Sequence, residues 1–140
     1  MAKSKIKGKP PKGYDSWFEY DLHQGVLKPC KFHTHKVMYV QHKVYEPDFT
    51  IESDLITVHI EVKGRFRDSE EARKYIDVSK GLTAFEELVF LFYDANTPMP
   101  RARRRKDGTK FTMGEWAKSH DFRYFTADNV HLLLSEGQSC

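Results

Sequence analysis

Apolar and polar positions alternate most regularly over residues 56–63, where Ile56, Val58, Ile60 and Val62 are interleaved with Thr57, His59, Glu61 and Lys63. A period of two is that of a half-buried strand. The stretch therefore predicts a strand with Val62 in the core and Glu61 and Lys63 on its polar face. Upstream, Trp17, Tyr20, Leu22 and Val26 recur at helical spacing and predict a first helix from Asp15 or Ser16 to about Leu27, stopped by Pro29. β-Branched, aromatic and histidine residues between Phe32 and Val40, then a second extended piece from Tyr45 to Ile51, predict two further strands.

Asp68-Ser69-Glu70-Glu71 supplies a cap and first-turn acids for a helix running to about Lys80, ahead of Gly81. The apolar run inside residues 87–93 predicts a buried strand. Thr112 and Glu115 frame a capping box for a short helix to about His120, and Phe122 to Phe125 predict a last strand. Between them, residues 94–110 hold two prolines, an arginine cluster and Asp107-Gly108, the composition of a long exposed loop. The predicted order is α-β-β-β-α-β-α-β, without internal repeats. This is a mixed α/β (α+β) fold with a central sheet flanked by helices.

Composition narrows the class. In a chain of 140 residues, 39% hydrophobic and 14% aromatic content supports a folded core, while a mean hydropathy of −0.66 implies a heavily charged surface. No apolar stretch approaches the roughly 20 residues of a bilayer span, and the first residues lack the apolar segment of a signal peptide, so a cytoplasmic location without membrane contact is expected. Cys30 and Cys140 are read as free thiols, since neither belongs to a Cys-x-x-Cys pair.

Charge is unevenly placed. Lys3, Lys5, Lys7, Lys9 and Lys12 precede the first acid, and Arg101, Arg103, Arg104, Arg105, Lys106 and Lys110 are set against Asp107 alone. Each segment carries five net positive charges, so a chain whose total is +3 has a remainder near −7. An acidic body with two basic appendages suits a polyanion gripped at two places around an acidic centre. Residues 1–13, closed by Pro10-Pro11 and Gly13, are expected to be a flexible basic arm, and residues 14–140 a single domain.

The acids nearest the regular strand carry the candidate chemistry. Residues two apart on a strand project the same way, so Glu61 and Lys63 stand side by side, and an adjacent strand can bring up Asp48 from Pro47-Asp48-Phe49. Converging carboxylates are the hard oxygen donors that Mg²⁺ prefers; the ion lowers the pKa of a water and neutralises charge developing on a phosphate. Lys63 is expected to hold or help deprotonate that water. The plain alternative is a solvated strand face with a weak ion pair. Glu19 is either a further metal ligand or, in Ser16-x-x-Glu19, half of a capping box. His33 and His35, with His42 nearby, make a histidine metal site conceivable, but with no partner at a known ligand spacing exposed strand histidines are the favoured reading.

Pro47-Asp48 followed by Glu61-Val62-Lys63 matches the signature of the PD-(D/E)xK nucleases. Within that superfamily most of residues 14–125 resembles the phage endonuclease I type of Holliday-junction resolvase. The likeness rests on Ser16-x-x-Glu19, Tyr45-Glu46-Pro47-Asp48-Phe49, Glu61-Val62-Lys63-Gly64 with the arginine-bearing loop after it (Arg65, Arg67), and Thr112-Met113-Gly114-Glu115-Trp116 with Lys118-Ser119-His120.

The resemblance implies a restriction-endonuclease-like sheet, catalytic Glu19, Asp48, Glu61 and Lys63, and one or two Mg²⁺ (or Mn²⁺) ions on the three acids. It also implies an intertwined homodimer that exchanges the first helix and early strands, with no organic cofactor. Four-way DNA would be held through phosphates by the lysine arm, Arg65, Arg67 and the 101–106 cluster. A two-fold enzyme presents two equivalent sites to a junction that must be cut on two strands. Two departures bear on the substrate: histidines replace acids between Lys31 and Val40, and Arg103-Arg104-Arg105-Lys106 is more basic than the family pattern. The expectation is therefore a metal-dependent, junction-resolving endodeoxyribonuclease. The alternatives are a nicking, mismatch or restriction-type nuclease of plain duplex, and a non-catalytic DNA-binding module.

Overall fold

The computed structural model describes residues 8–136 and is a mixed α/β structure with four helices and one four-stranded mixed sheet. The chain divides into two compact units, one ending at His42 and the next beginning at Lys43. None of the described helices is long and apolar enough to cross a membrane.

The first unit contains α1 (Trp17–Gln24). Ser16 caps it by accepting the Glu19 N–H, and Gly25 ends it, so the helix stops short of the expected Leu27. Tyr14, Phe32 and His33 form an aromatic stack beside it, with ring centroids 4.5 Å apart for Tyr14–Phe32 and 4.0 Å for Phe32–His33.

The second unit holds the sheet, β1 (Phe49–Glu52), β2 (Thr57–Lys63), β3 (Glu86–Phe92) and β4 (Tyr124–Phe125), in that spatial order. β1 and β2 are antiparallel, as a tight connection requires. The pairs β2–β3 and β3–β4 are parallel, and their crossovers carry α2 (Ser69–Gly81) and α3 (Met113–Ser119). A short α4 (His131–Leu134) follows β4.

The strands bury side chains on both faces. On one, Phe66, Tyr75, Phe90, Phe92, Met113, Trp116 and Phe122 form an aromatic core, much of it packed edge to face, as between Tyr75 and Phe90 at 5.3 Å and 90°. On the other, Ile51, Val58, Ile60 and Val89 pack with Leu133 of α4. Gly114 permits the close approach of α3: a Cβ there would lie 3.1 Å from the Tyr124 ring and 3.2 Å from the Ala95 side chain.

Three expectations are corrected. No strand forms between Phe32 and Val40, so the observed order is α-β-β-α-β-α-β-α, with α4 added. His33 takes a left-handed backbone (φ 51°), and Val37, Met38, Tyr39 and Val40 are 78–96% exposed. A strand needs a neighbour for its amides and carbonyls, and among the described residues this segment has none. The second extended piece shortens to β1 for the same reason, since its pairing with β2 begins at Phe49↔Ile60. Finally, Val62 does not fill the core: it is 41% exposed and Glu61 is 6% exposed. Val62 shares its face with Ile60 and Val58, but it belongs to neither buried cluster; Glu61 turns to the aromatic face.

Candidate active site

Asp48 precedes β1 and its Oδ2 accepts the N–H of Val62 at 2.8 Å. That bond continues the β1–β2 pairing by one step with a side chain in place of a carbonyl, and it fixes Asp48 at the residue lying between Glu61 and Lys63. The sequence pattern Pro47-Asp48-Phe49 favours this arrangement, because proline has no N–H to give to a ladder and is tolerated at a strand entry.

Glu61 lies on the aromatic face of β2 and, among the described residues, is the one charged residue that is buried. A carboxylate removed from water needs hydrogen bonds on its oxygens. Both are supplied by tyrosines: Tyr45 donates to Oε2, and Tyr75, on α2, donates to Oε1 at 2.7 Å. The two rings meet edge to face at 5.9 Å. Burial, then the Glu61 carboxylate, raises the pKa of both phenols, with Tyr75 pushed up to about 12, so each remains a hydrogen-bond donor at neutral pH.

Lys63 reaches the same carboxylate, Nζ to Glu61 Oε1 at 3.3 Å, and makes a closer pair with Glu71 Oε1 at 2.5 Å. Its ammonium lies 5.3 Å from the centre of the Tyr75 ring. Burial works against the lysine charge, but the hydrogen bond to Glu71 and the interaction with Tyr75 outweigh it and hold the ammonium above the ordinary lysine range. Burial likewise opposes ionisation of Glu71, yet Lys63 and the Arg67 N–H leave its carboxyl below its usual value. The result is an alternating chain of charge and hydroxyl: Tyr45, Glu61, Tyr75 and Lys63, then Glu71.

Tyr45, Tyr75 and Glu71 were not singled out from the sequence. A signal existed for the last two. Glu71 and Tyr75 are four apart on a helix whose Ala72 and Tyr75 are buried, so a carboxylate one turn before a buried phenol marks the face turned to the sheet.

No protein-family model matches the sequence, and no curated protein matches it.

The remaining candidates are distributed as follows. Glu19 is on α1, in the first unit, where its N–H caps onto Ser16. Its Oε1 is buried without a hydrogen-bond partner, 3.7 Å from His33 Nε2. The capping box that the spacing allowed is thus half formed. Asp48, Glu61 and Lys63 all lie in the second unit. Among the described residues no group of three or more His, Cys, Asp or Glu is arranged to hold a metal. His35 and His42 are exposed in the segment without regular structure.

Arg65 and Arg67, with Phe66, Asp68, Pro98, Pro100 and Arg101, line an open groove of about 610 Å³. Arg101 holds a left-handed backbone at φ 59°, a conformation uncommon outside glycine and asparagine and often kept where function needs it. Arg67 leans on Asp68 at 3.2 Å. Arg105 is built into its loop: it forms a two-pronged pair with Glu115 at 2.9 and 3.0 Å and bonds to Thr109 and the Lys110 carbonyl. Arg101, Arg103 and Lys106 make no such bonds among the described residues. Lys9 and Lys12 are exposed; Lys3, Lys5 and Lys7 lie outside the described residues.

Proposed function

We propose that this chain is a divalent-metal-dependent endodeoxyribonuclease of the PD-(D/E)xK superfamily that resolves four-way DNA junctions as a homodimer. The observation that carries the reading is the convergence of Asp48, Glu61 and Lys63 at the β1–β2 pairing, through the Asp48–Val62 bond and the Glu61–Lys63 contact. The substrate class rests on the resemblance to the phage endonuclease I resolvases and on the polarised charge of the sequence.

The donor set suits Mg²⁺ or Mn²⁺ in kind. Asp48 commits one oxygen to Val62 and keeps the other, and Glu61 Oε2, which accepts from Tyr45, has a further lone pair for an ion, whereas Oε1 already meets Tyr75 and Lys63. It is short in number: two of the three expected ligands, Asp48 and Glu61, stand in this unit, and Glu19, the third, belongs to the other. Asp48 and Glu61 would hold the ion, with Glu19 of a partner chain completing the set in the exchanged homodimer. When bound, such an ion activates water and neutralises charge on the phosphate.

The side chains of this protein do the rest. Lys63 presents a cation for a non-bridging phosphate oxygen. Tyr45 and Tyr75 keep Glu61 aligned by donating to it. Arg65, Arg67 and Arg101 offer phosphate contacts along the groove, and Arg103, Arg104 and Lys106 extend them, giving affinity without reading sequence. The homodimer is supported by Val37, Met38, Tyr39 and Val40, β-prone side chains left uncovered in one chain.

A second reading has an observation of its own. Because Glu61 is satisfied by two tyrosines and Lys63 by Glu71, the cluster also works as a buried polar tie in a non-catalytic DNA-binding module. The deciding experiment compares a four-way junction with linear duplex of the same sequence, in Mg²⁺ and in EDTA. We expect Mg²⁺-dependent cutting of the junction at least tenfold faster than of the duplex. Equal rates on both substrates would leave a nuclease without junction selectivity. Binding without cutting in either Mg²⁺ or Mn²⁺ would establish the module instead.

A further inference from the structure

Three features of α2 converge on the Glu61–Lys63 pair. Asp68, the N-cap, accepts the Glu71 N–H at 2.8 Å, and the Glu71 carboxylate returns to the Arg67 N–H at 2.9 Å through Oε2. These two bonds clamp Glu71 from both ends, leaving Oε1 to meet Lys63 Nζ at 2.5 Å. One turn along, Tyr75 is 1% exposed and its hydroxyl is aimed at Glu61 Oε1. The same helix therefore touches both members of the pair, from positions four apart.

Strand geometry alone does not fix how Glu61 and Lys63 meet. A strand puts residues i and i+2 on one side, but a lysine has four rotatable bonds and the ammonium can sweep several ångströms. The clamp removes that freedom. Glu71 is itself little exposed, as is Lys63, with side-chain exposures of 13% and 18%, so the contact is not an ordinary solvated surface pair.

We propose that Glu71 and Tyr75 are positioning residues for the reaction: Glu71 places the Lys63 ammonium and Tyr75 orients the Glu61 carboxylate, so that α2 sets the spacing of the two charges presented to the phosphate. The proposal rests on the nuclease reading above. Both residues act through Glu61 and Lys63; neither touches the substrate. Pre-set geometry of this kind raises the rate of the bound complex rather than its affinity, and displacements near one ångström cost about a hundredfold.

The test uses the full chain with Glu71→Gln, Glu71→Asp and Tyr75→Phe. Glutamine retains the acceptor for the Arg67 N–H and the packing volume but loses the charge that holds Lys63. We expect Glu71→Gln to lower kcat for junction cutting ten- to a hundredfold, with Kd for the junction within twofold of the original. Glu71→Asp should recover part of the loss because it restores the charge. Tyr75→Phe retains the buried ring and should also lower kcat without changing Kd, which keeps the test available if Glu71→Gln does not fold.

Wild-type rates in both Glu71→Gln and Tyr75→Phe would overturn the proposal while leaving the nuclease reading intact. So would parallel losses of kcat and affinity with Glu71→Asp no better than Glu71→Gln. A wild-type protein that cuts no DNA in Mg²⁺ or Mn²⁺ fails the underlying reading. In that case a thermal-unfolding cycle of Lys63→Met and Glu71→Gln with non-additive shifts would assign the same contacts to stability alone, and the positioning role would fall with it.

Discussion

A buried carboxylate decides what its neighbours can be. Glu61 has lost water on the aromatic face of the sheet, and its two tyrosine donors and Lys63 are the groups that make this tolerable. Asp48 is different, since it is exposed and has one oxygen tied to Val62. The two acids should therefore respond differently to substitution. Asp48→Asn retains an acceptor for the Val62 N–H, and on the proposed nuclease reading it removes a metal-ligand charge, so it is expected to fold normally, bind junction DNA within a few-fold of wild type and lose cutting by more than a hundredfold. Lys63→Ala should behave alike in activity but fold less stably, because it strands Glu71 and Glu61 without their cation. Gel-shift titration beside a cleavage assay separates binding from chemistry; cutting that survives in both variants would mean the site is misassigned.

Among the elements, the arginine-rich loop ahead of α3 is more ordered than its composition suggests. Thr112 and Glu115 complete a reciprocal capping box, and the same Glu115 carboxylate receives both prongs of Arg105. One acid thus closes the loop and starts the helix. Its carboxyl is held below the ordinary value of 4.5, first by the Arg105 hydrogen bond. A group whose pKa is lower folded than unfolded contributes stability that is fully present above the unfolded value and is lost as pH falls through the folded one. Melting temperature measured from pH 5.5 down to pH 3 should therefore fall more steeply for the original protein than for Glu115→Gln. The gap between the two should narrow toward the acid end, and a constant gap would show that the charge on Glu115 is not what the loop uses.

At the level of the whole molecule, three groups of cations have distinct fates. Arg105 serves its own loop. Arg65, Arg67 and Arg101 share one groove, and Arg103 and Lys106 make no side-chain hydrogen bond or ion pair among the described residues. Each phosphate neutralised releases counterions, so the logarithm of the binding constant falls against the logarithm of salt with a slope of about −0.9 per contact on duplex DNA. Replacing Arg65 and Arg101 together with alanine should flatten that slope by about two, on junction and duplex alike, because phosphate contacts carry no sequence information. Arg105→Ala is expected to lower the melting temperature with little change in slope. A slope that ignores the first pair and responds to Arg105 would place the DNA path elsewhere.

The amino-acid order alone determined the elements whose signals are local. Period-two alternation marked β2, the Asp68 and Thr112 caps marked the starts of α2 and α3, and the Pro47-Asp48 and Glu61-x-Lys63 spacing marked the acids that the β1–β2 pairing brings together. The alternation and the caps depend on residues a few positions apart, and the two halves of the acid motif are joined by a single strand pairing close along the chain. Only the tertiary structure decided what depends on distant partners. Val37 to Val40 have strand-forming side chains but no neighbouring strand among the described residues, so propensity found nothing to pair with. Val62 and Glu61 exchanged their expected burial because both faces of this sheet carry apolar cover, and alternation cannot say how far that cover extends along a strand. Tyr45 and Tyr75 reached Glu61 across 16 and 14 residues of sequence, and Glu71 reached Lys63 from the next helix. A buried charge must find its donors wherever packing puts them, and the strand pattern that locates a carboxylate carries no information about which hydroxyls or ammonium will meet it.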